Sequence, residues 1–182
     1  MARLKTKYVE EVAPKLAKEF GVENPMALPK IQKITLNVGT GKNFRDAKKF
    51  EKVQQALTTI AGQYAVGVKT KKSVAQFKTR QGMTVALKVT LRGERMYEFL
   101  DRLVSIALPR TRDFQGVSVD KIDENGNLNF GIPEHMIFPE LSNEELELNF
   151  GLQVNMTVLN SDKAKTDQLL RELGFPLTAK KS

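Results

Sequence analysis

Apolar side chains along this chain fall into two periods, and the switches between them mark out its elements. Over residues 3 to 20, Leu4, Tyr8, Val12, Leu16 and Phe20 stand four apart, with Val9 and Ala13 beside them. That spacing gathers them on one side of a helix. Pro14 has no N–H to give and is expected to kink this helix or to open its second half, while Gly21 is placed to end it in the left-handed conformation. Asn24-Pro25 and Leu28-Pro29 then keep the backbone extended.

Between 30 and 38 the period drops to two, with Ile34, Leu36 and Val38 on one side and Lys33, Thr35 and Asn37 on the other, the pattern of a half-buried strand. Asp46 can cap a helix whose apolar side runs Phe50, Val53, Leu57 and Ile60 before Gly62 stops it; its other side carries Arg45, Lys48, Lys49 and Lys52. Residues 63 to 68 predict a short strand. Residues 83 to 92 alternate more cleanly, sending Met83, Val85, Leu87, Val89 and Leu91 to a core and Thr84, Lys88, Thr90 and Arg92 away from it. A helix from Glu94 buries Met96, Leu100, Leu103, Val104 and Ala107 until Pro109 ends it. Asn125-Gly126 signals a turn before a short strand over 127 to 132. Residues 152 to 158 alternate again, Leu152, Val154, Met156 and Val158 against Gln153, Asn155 and Thr157. Ser161 or Asp162 caps a last helix carrying Leu169, Leu170 and Leu173, closed by Gly174.

Strands and helices intermix, and the strands are apolar on one side only. Such strands belong to a largely antiparallel sheet with helices packed on one face and the other face open, an α+β fold. No repeat, low-complexity run or linker divides residues 1 to 182, so a single domain is expected. Its long break is the loop from 69 to 82, fourteen residues without clear periodicity, a length that suggests function.

Charge changes this picture by having a location. From 52 through 93 there is no Asp or Glu, yet Lys52, Lys69, Lys71, Lys72, Lys78, Arg80, Lys88 and Arg92 stand there. Those eight equal the net charge of the chain, because the other 21 basic residues match its 21 acids. A concentrated block of cations asks for a polyanion, and nucleic acid is the leading class. The outward strand residues carry no acid either. Their hydroxyls and amides bond 2′-hydroxyls, phosphates and base edges, while Lys and Arg displace counterions, so the surface suits RNA recognised by shape. Thr and Asn also simply tolerate a solvated strand face; the acid-free block tips the reading toward RNA. Tyr64 and Phe77 are the only aromatics in or beside the block, too few for a reader that stacks successive bases.

Other classes find less support. Cysteine is absent, which excludes disulfides, thiolate zinc sites and cysteine nucleophiles and suits a reducing compartment. No apolar run approaches the roughly 20 residues a membrane helix needs, and the start of the chain has no signal-like apolar run, so no membrane partner is expected. Gly39-Thr40-Gly41-Lys42 follows a strand and precedes a helix, as a phosphate-cradling loop would. Leu36 and Asn43 stand where that motif needs Gly and Ser or Thr. His135 is the only histidine, flanked by Pro133 and Pro139, and reads as structural. Glu140, Glu144, Glu145 and Glu147 form an acidic patch, with Ser142 and Glu145 matching a capping box. No nucleophile, base and orienting group assemble into a catalytic set.

Six runs carry a resemblance: LNVGTG at 36 to 41, KKSVAQFKTRQGM at 71 to 83, VTLRGERM at 89 to 96, ALPRTRDF at 107 to 114, GNLNFGI at 126 to 132 and IFPEL at 137 to 141. In this order the chain resembles the bacterial L-five family of large-subunit ribosomal proteins, from the first helix to Gly174-Phe175-Pro176. The resemblance implies a non-enzymatic, cytoplasmic component of the ribosome's central protuberance, without metal or cofactor, holding 5S ribosomal RNA against the large-subunit RNA. By likeness, Asn37, Gln63, Thr90 and Arg92 contact 5S RNA on the sheet face, to which the strand pattern adds Lys33 and Lys88. The projecting loop implies contact with the elbow of P-site tRNA through Lys71, Lys72, Ser73, Phe77, Lys78, Arg80 and Gln81. A bridge to a protein of the small-subunit head is also implied. Residues 142 to 152 depart from the family's Arg-Gly-Met-Asp run, so no bridge residues are assigned. Two alternatives stand beside this reading: an assembly factor or other RNA-binding module, and a small phosphate-ligand enzyme using Gly39 to Lys42.

Overall fold

The computed structural model describes residues 2–39, 47–76, 79–112, 114–141 and 149–178. In chain order its elements are α1 (Arg3–Lys7), α2 (Ala13–Phe20), β1 (Lys30–Gly39), α3 (Ala47–Ala61), β2 (Val66–Lys69), β3 (Thr84–Leu91), α4 (Gly93–Arg102), β4 (Val117–Ser118), β5 (Leu128–Ile132), β6 (Leu152–Leu159), α5 (Lys163–Glu172) and β7 (Leu177–Thr178). Five strands are hydrogen-bonded in the order β2-β3-β1-β6-β5, and β4 pairs with β7 separately. The fold is α+β with a largely antiparallel sheet. The chain gathers into two compact units, Met1–Ile34 with Leu91–Phe130 and Asn155–Ser182, and Thr35–Thr90 with Gly131–Val154.

In the first unit, the apolar stripe at the start of the chain buries Leu4, Tyr8, Val12 and Leu16. The helix is not continuous α. A π-helical turn, Tyr8–Val12, separates α1 from α2 and leaves Pro14 in the first turn of α2. That is how the chain absorbs a residue without an N–H whose ring crowds the carbonyl four positions back. The Tyr8 hydroxyl donates to the Pro29 carbonyl at 2.9 Å, and Gly21, at φ +62°, ends α2 as expected. Helix α4 buries Met96, Tyr97, Phe99 and Leu100 and runs through a second π turn, Leu103–Ala107, into a short 3-10 turn that holds Pro109. Asp162 caps α5 by accepting from the Lys165 N–H at 2.8 Å. Thr166 is buried, and its hydroxyl joins the Gly126 carbonyl to Ser161, each at 2.7 Å.

The core of the second unit lies under α3, whose Val53, Ala56, Leu57 and Ile60 are buried together with Leu36, Val38, Leu87 and Val89 of the strands. After α3 the chain is tied back to its own helix. Gln54 Nε2 donates to the Ala65 carbonyl at 2.7 Å, and the Ala65 N–H donates to Thr58 Oγ1 at 3.2 Å. The strand expected over 63 to 68 therefore begins only at Val66.

Strand β3 departs from strict alternation. Its pairing with β2 slips between Val68 and Lys69, which face Ala86 and Thr84 and leave Val85 as the extra residue of a bulge. A Cβ at Gly67 would lie 2.7 Å from the Thr84 methyl and 3.9 Å from Phe50 of α3. Thr84 thus sits on the helix side and not with Lys88, as period two had placed it. The same slip leaves Met83 and Val85 half-buried where a core position was expected.

Candidate nucleic-acid interface

The second unit carries most of the residues the sequence singles out. On β1, Thr35 and Asn37 are half-buried between the buried Leu36 and Val38; on β3, Lys88 is exposed and Thr90 half-buried. Gln63 reaches this surface from the turn after α3, its Nε2 donating to the Thr90 carbonyl at 3.3 Å. Asn37 Nδ2 donates to Gln153 Oε1 on β6 at 3.3 Å. Four of the six sheet-face residues, Asn37, Gln63, Lys88 and Thr90, thus lie in one unit, and hydrogen bonds fix two of them. Lys33, half-buried on β1, and Arg92, exposed at the cap of α4, belong to the first unit.

The first unit has an amide pair of its own. Asn155 Nδ2 donates to Asn129 Oδ1 at 2.6 Å, and Asn127 Oδ1 accepts from the Val158 N–H at 3.3 Å. Asn129 was not singled out from the sequence. Its signal was present, since it is the polar residue between the buried Leu128 and Phe130 of β5.

The loop from 69 to 82 is a hairpin continuing β2 and β3. Backbone bonds cross it from Thr70 to Met83 (2.8 Å) and from Gly82 to Thr70 (3.0 Å), and further out Val74 and Thr79 exchange bonds of 3.0 and 3.1 Å. Ser73 Oγ accepts from the Gln81 N–H at 3.0 Å, so of the predicted contact residues Ser73 and Gln81 hold the hairpin to itself. Lys71, Lys72 and Arg80 are exposed. Phe77 and Lys78 lie outside the described residues. Among the described residues no carboxylate pairs with Lys69, Lys71, Lys72, Arg80 or Lys88. The first unit differs: Arg3 pairs with Asp101, Lys5 with Glu94 at 3.5 Å, Lys15 with Glu172 at 2.9 Å and Arg171 with Asp167 at 2.8 Å.

The remaining candidates separate from this surface. His135 is fully buried, stacked on Phe150 with ring centroids 3.9 Å apart, and its Nδ1 accepts from the Phe150 N–H at 3.4 Å. Of the glycine loop only Gly39 is described; Thr40 to Lys42 fall outside the described residues, as do Asp46, Ser142 and the carboxylates at 144, 145 and 147. Among the described residues no three of His, Cys, Asp and Glu converge as a metal site, and no helix is long and apolar enough to cross a membrane.

Residues 24–80 match the family model described as ribosomal protein L5, and residues 84–177 match the model for the C-terminus of the same ribosomal family. The chain is similar to the large ribosomal subunit protein uL5 of Geobacter sulfurreducens, 48% identical over 180 residues that cover 97% of this chain and 98% of that one. The uL5 protein of Rubrobacter xylanophilus is 46% identical over 176 residues, with the same coverage. That of Campylobacter jejuni is 44% identical over 178 residues, 98% of each chain.

Proposed function

The chain belongs to the ribosomal L5 family, and from that premise we propose that it binds 5S RNA through its strand surface and so helps to hold that RNA in the central protuberance. As a member of the family it is a structural constituent of the large ribosomal subunit, in the company of ribosomal RNA, and not one of a family of enzymes. The observation that carries the finer reading is the second unit's combination of an amide and hydroxyl strand surface with a hairpin of cations that no described carboxylate neutralises. The amides of Asn37 and Gln63 and the hydroxyl of Thr90 bond riboses and phosphates, and Lys88 supplies local counterion release. Lys33 and Arg92, in the first unit, carry cations of the same chemistry. The hairpin, with Lys71, Lys72 and Arg80, reaches for a second RNA, the P-site tRNA. A contact with a protein of the small-subunit head completes the set of partners.

Binding of the full chain to 5S RNA, followed over a salt series, tests this. Asn37→Ala with Thr90→Ala is expected to weaken binding by about 1–2 kcal/mol, on the scale of roughly 1 kcal/mol per neutral hydrogen bond. Unchanged affinity in the double variant removes the strand surface from the interface. Mapping crosslinks on purified ribosomes separates a resident protein from an assembly factor, which would be missing from mature subunits.

A further inference from the structure

The second unit contains an open groove of about 540 Å³ beside the Asn37–Gln153 couple, its lining including Gly39, Gly131, Gly151 and Pro133. Among the described residues no charged side chain lines it. What it offers is a matched donor and acceptor. Asn37 gives an N–H to Gln153 Oε1, and no described residue donates to Asn37 Oδ1. The amide N–H groups of Gln153 are likewise taken by no described acceptor. A Cβ placed on Gly39 or Gly131 meets nothing within 4 Å, and one on Gly151 meets the Ile132 carbonyl only at ordinary contact distance, 3.5 Å. None of the three has a left-handed φ, so neither backbone conformation nor packing within the described chain calls for glycine there.

We propose that this groove is a ribose pocket, seating the sugar edge of one RNA strand. The 2′-hydroxyl is at once donor and acceptor. It gives its proton to Asn37 Oδ1 and takes an N–H from Gln153, while the glycine lining lets the sugar approach to van der Waals contact. The pocket makes the surface selective for ribose over deoxyribose. This rests on the RNA reading above and adds to it Gln153, Gly131 and Gly151.

The test uses the full chain and a 5S RNA transcript, with 2′-deoxy nucleotides incorporated at random and bound RNA analysed for positions where the substitution interferes. Wild-type protein is expected to show interference at one or two positions, and Gln153→Leu to lose affinity by about tenfold, on the scale of a hydrogen bond or two, while no longer sensing those positions. Gly131→Val, whose side chain enters open space, is expected to lose at least as much by filling the groove. Gly131→Ala serves if the valine variant fails to fold, as judged by its melting curve. If wild-type protein binds the transcript but Gln153→Leu keeps the same interference pattern, or a folded Gly131 variant binds as well as wild type, the ribose pocket is wrong while the RNA reading stands. Failure of the wild-type protein to bind the transcript overturns both.

Discussion

The ion pairs of the first unit and the hairpin cations of the second place charge differently. In the first, cations stand beside acids on neighbouring elements: Arg3 with Asp101, Lys15 with Glu172, Arg171 with Asp167. In the second, the hairpin and β3 present Lys69, Lys71, Lys72, Arg80 and Lys88 with no carboxylate partner among the described residues. Exposed ion pairs contribute little to folding, and unpaired cations held together cost a little through repulsion. Stability therefore does not explain the arrangement. The cations of the hairpin and of Lys88 are thus the ones the proposed RNA contact accounts for.

That contrast predicts that neutralising the hairpin's cations changes RNA binding and leaves folding alone, while substitutions at the first unit's ion pairs and buried hydroxyl act, if at all, on folding. The largest expected effect is from Lys71→Ala, Lys72→Ala and Arg80→Ala together. Retention of tRNA on ribosomes carrying the triple variant should fall by about 10- to 100-fold, and the salt dependence should flatten by roughly 0.7–0.9 in log–log slope for each phosphate the variant no longer neutralises. Melting temperature and 5S RNA affinity should barely move. Equal weakening toward both RNAs would merge the two sites into one.

Next in size is Thr166→Val in the first unit, which strips the buried Gly126 carbonyl of its hydroxyl partner. Unfolding in denaturant should come about 1–3 kcal/mol easier, the range for a buried group left unsatisfied, with RNA affinity unchanged. A smaller effect belongs to Tyr97, whose phenol is pushed up to about 12 by burial and secondarily by Tyr8. The fold favours the neutral phenol, so its contribution is complete below pH 10 and declines as pH rises from 10 to 12. Denaturant midpoints measured across that range should fall, and Tyr97→Phe should remove the larger part of the fall; burial also raises Tyr8. Least of all, Asp101→Ala should shift the melting temperature near the limit of detection, despite leaving Arg3 without its partner. A large shift there would show that the pairing on the first unit carries the fold after all.

Much of this was legible from period alone. Strict alternation identified β1 and β6 with their buried sides, and helical spacing identified the buried Val53, Leu57 and Ile60 of α3 and Leu169 and Leu170 of α5, because each pattern arises within one element. Three features were not legible, because each depends on partners distant in sequence or on a local accommodation. The slip that turned Thr84 toward Phe50 depends on how β2 pairs with β3. The rungs at Thr70–Met83 and Val74–Thr79 occur in a stretch whose side chains follow no period. The π turn before Pro14 is one of several ways a helix accommodates proline, and composition does not choose among them. For the candidate site, the sequence marked the strand polar residues and the cations, but not which amides pair. Gln153 and Asn129 gain their roles only when β6 lies beside its neighbours.

The cross-hairpin rungs also turn a tether into a ruler. Since the arm is laddered from β2 outward, the spacing of Lys71 and Lys72 from the strand is set by residue count before any encounter. Removing one rung's pair of residues would shorten the reach without touching a single charge. In the proposed contact, the tRNA would then stand at a defined height above β2.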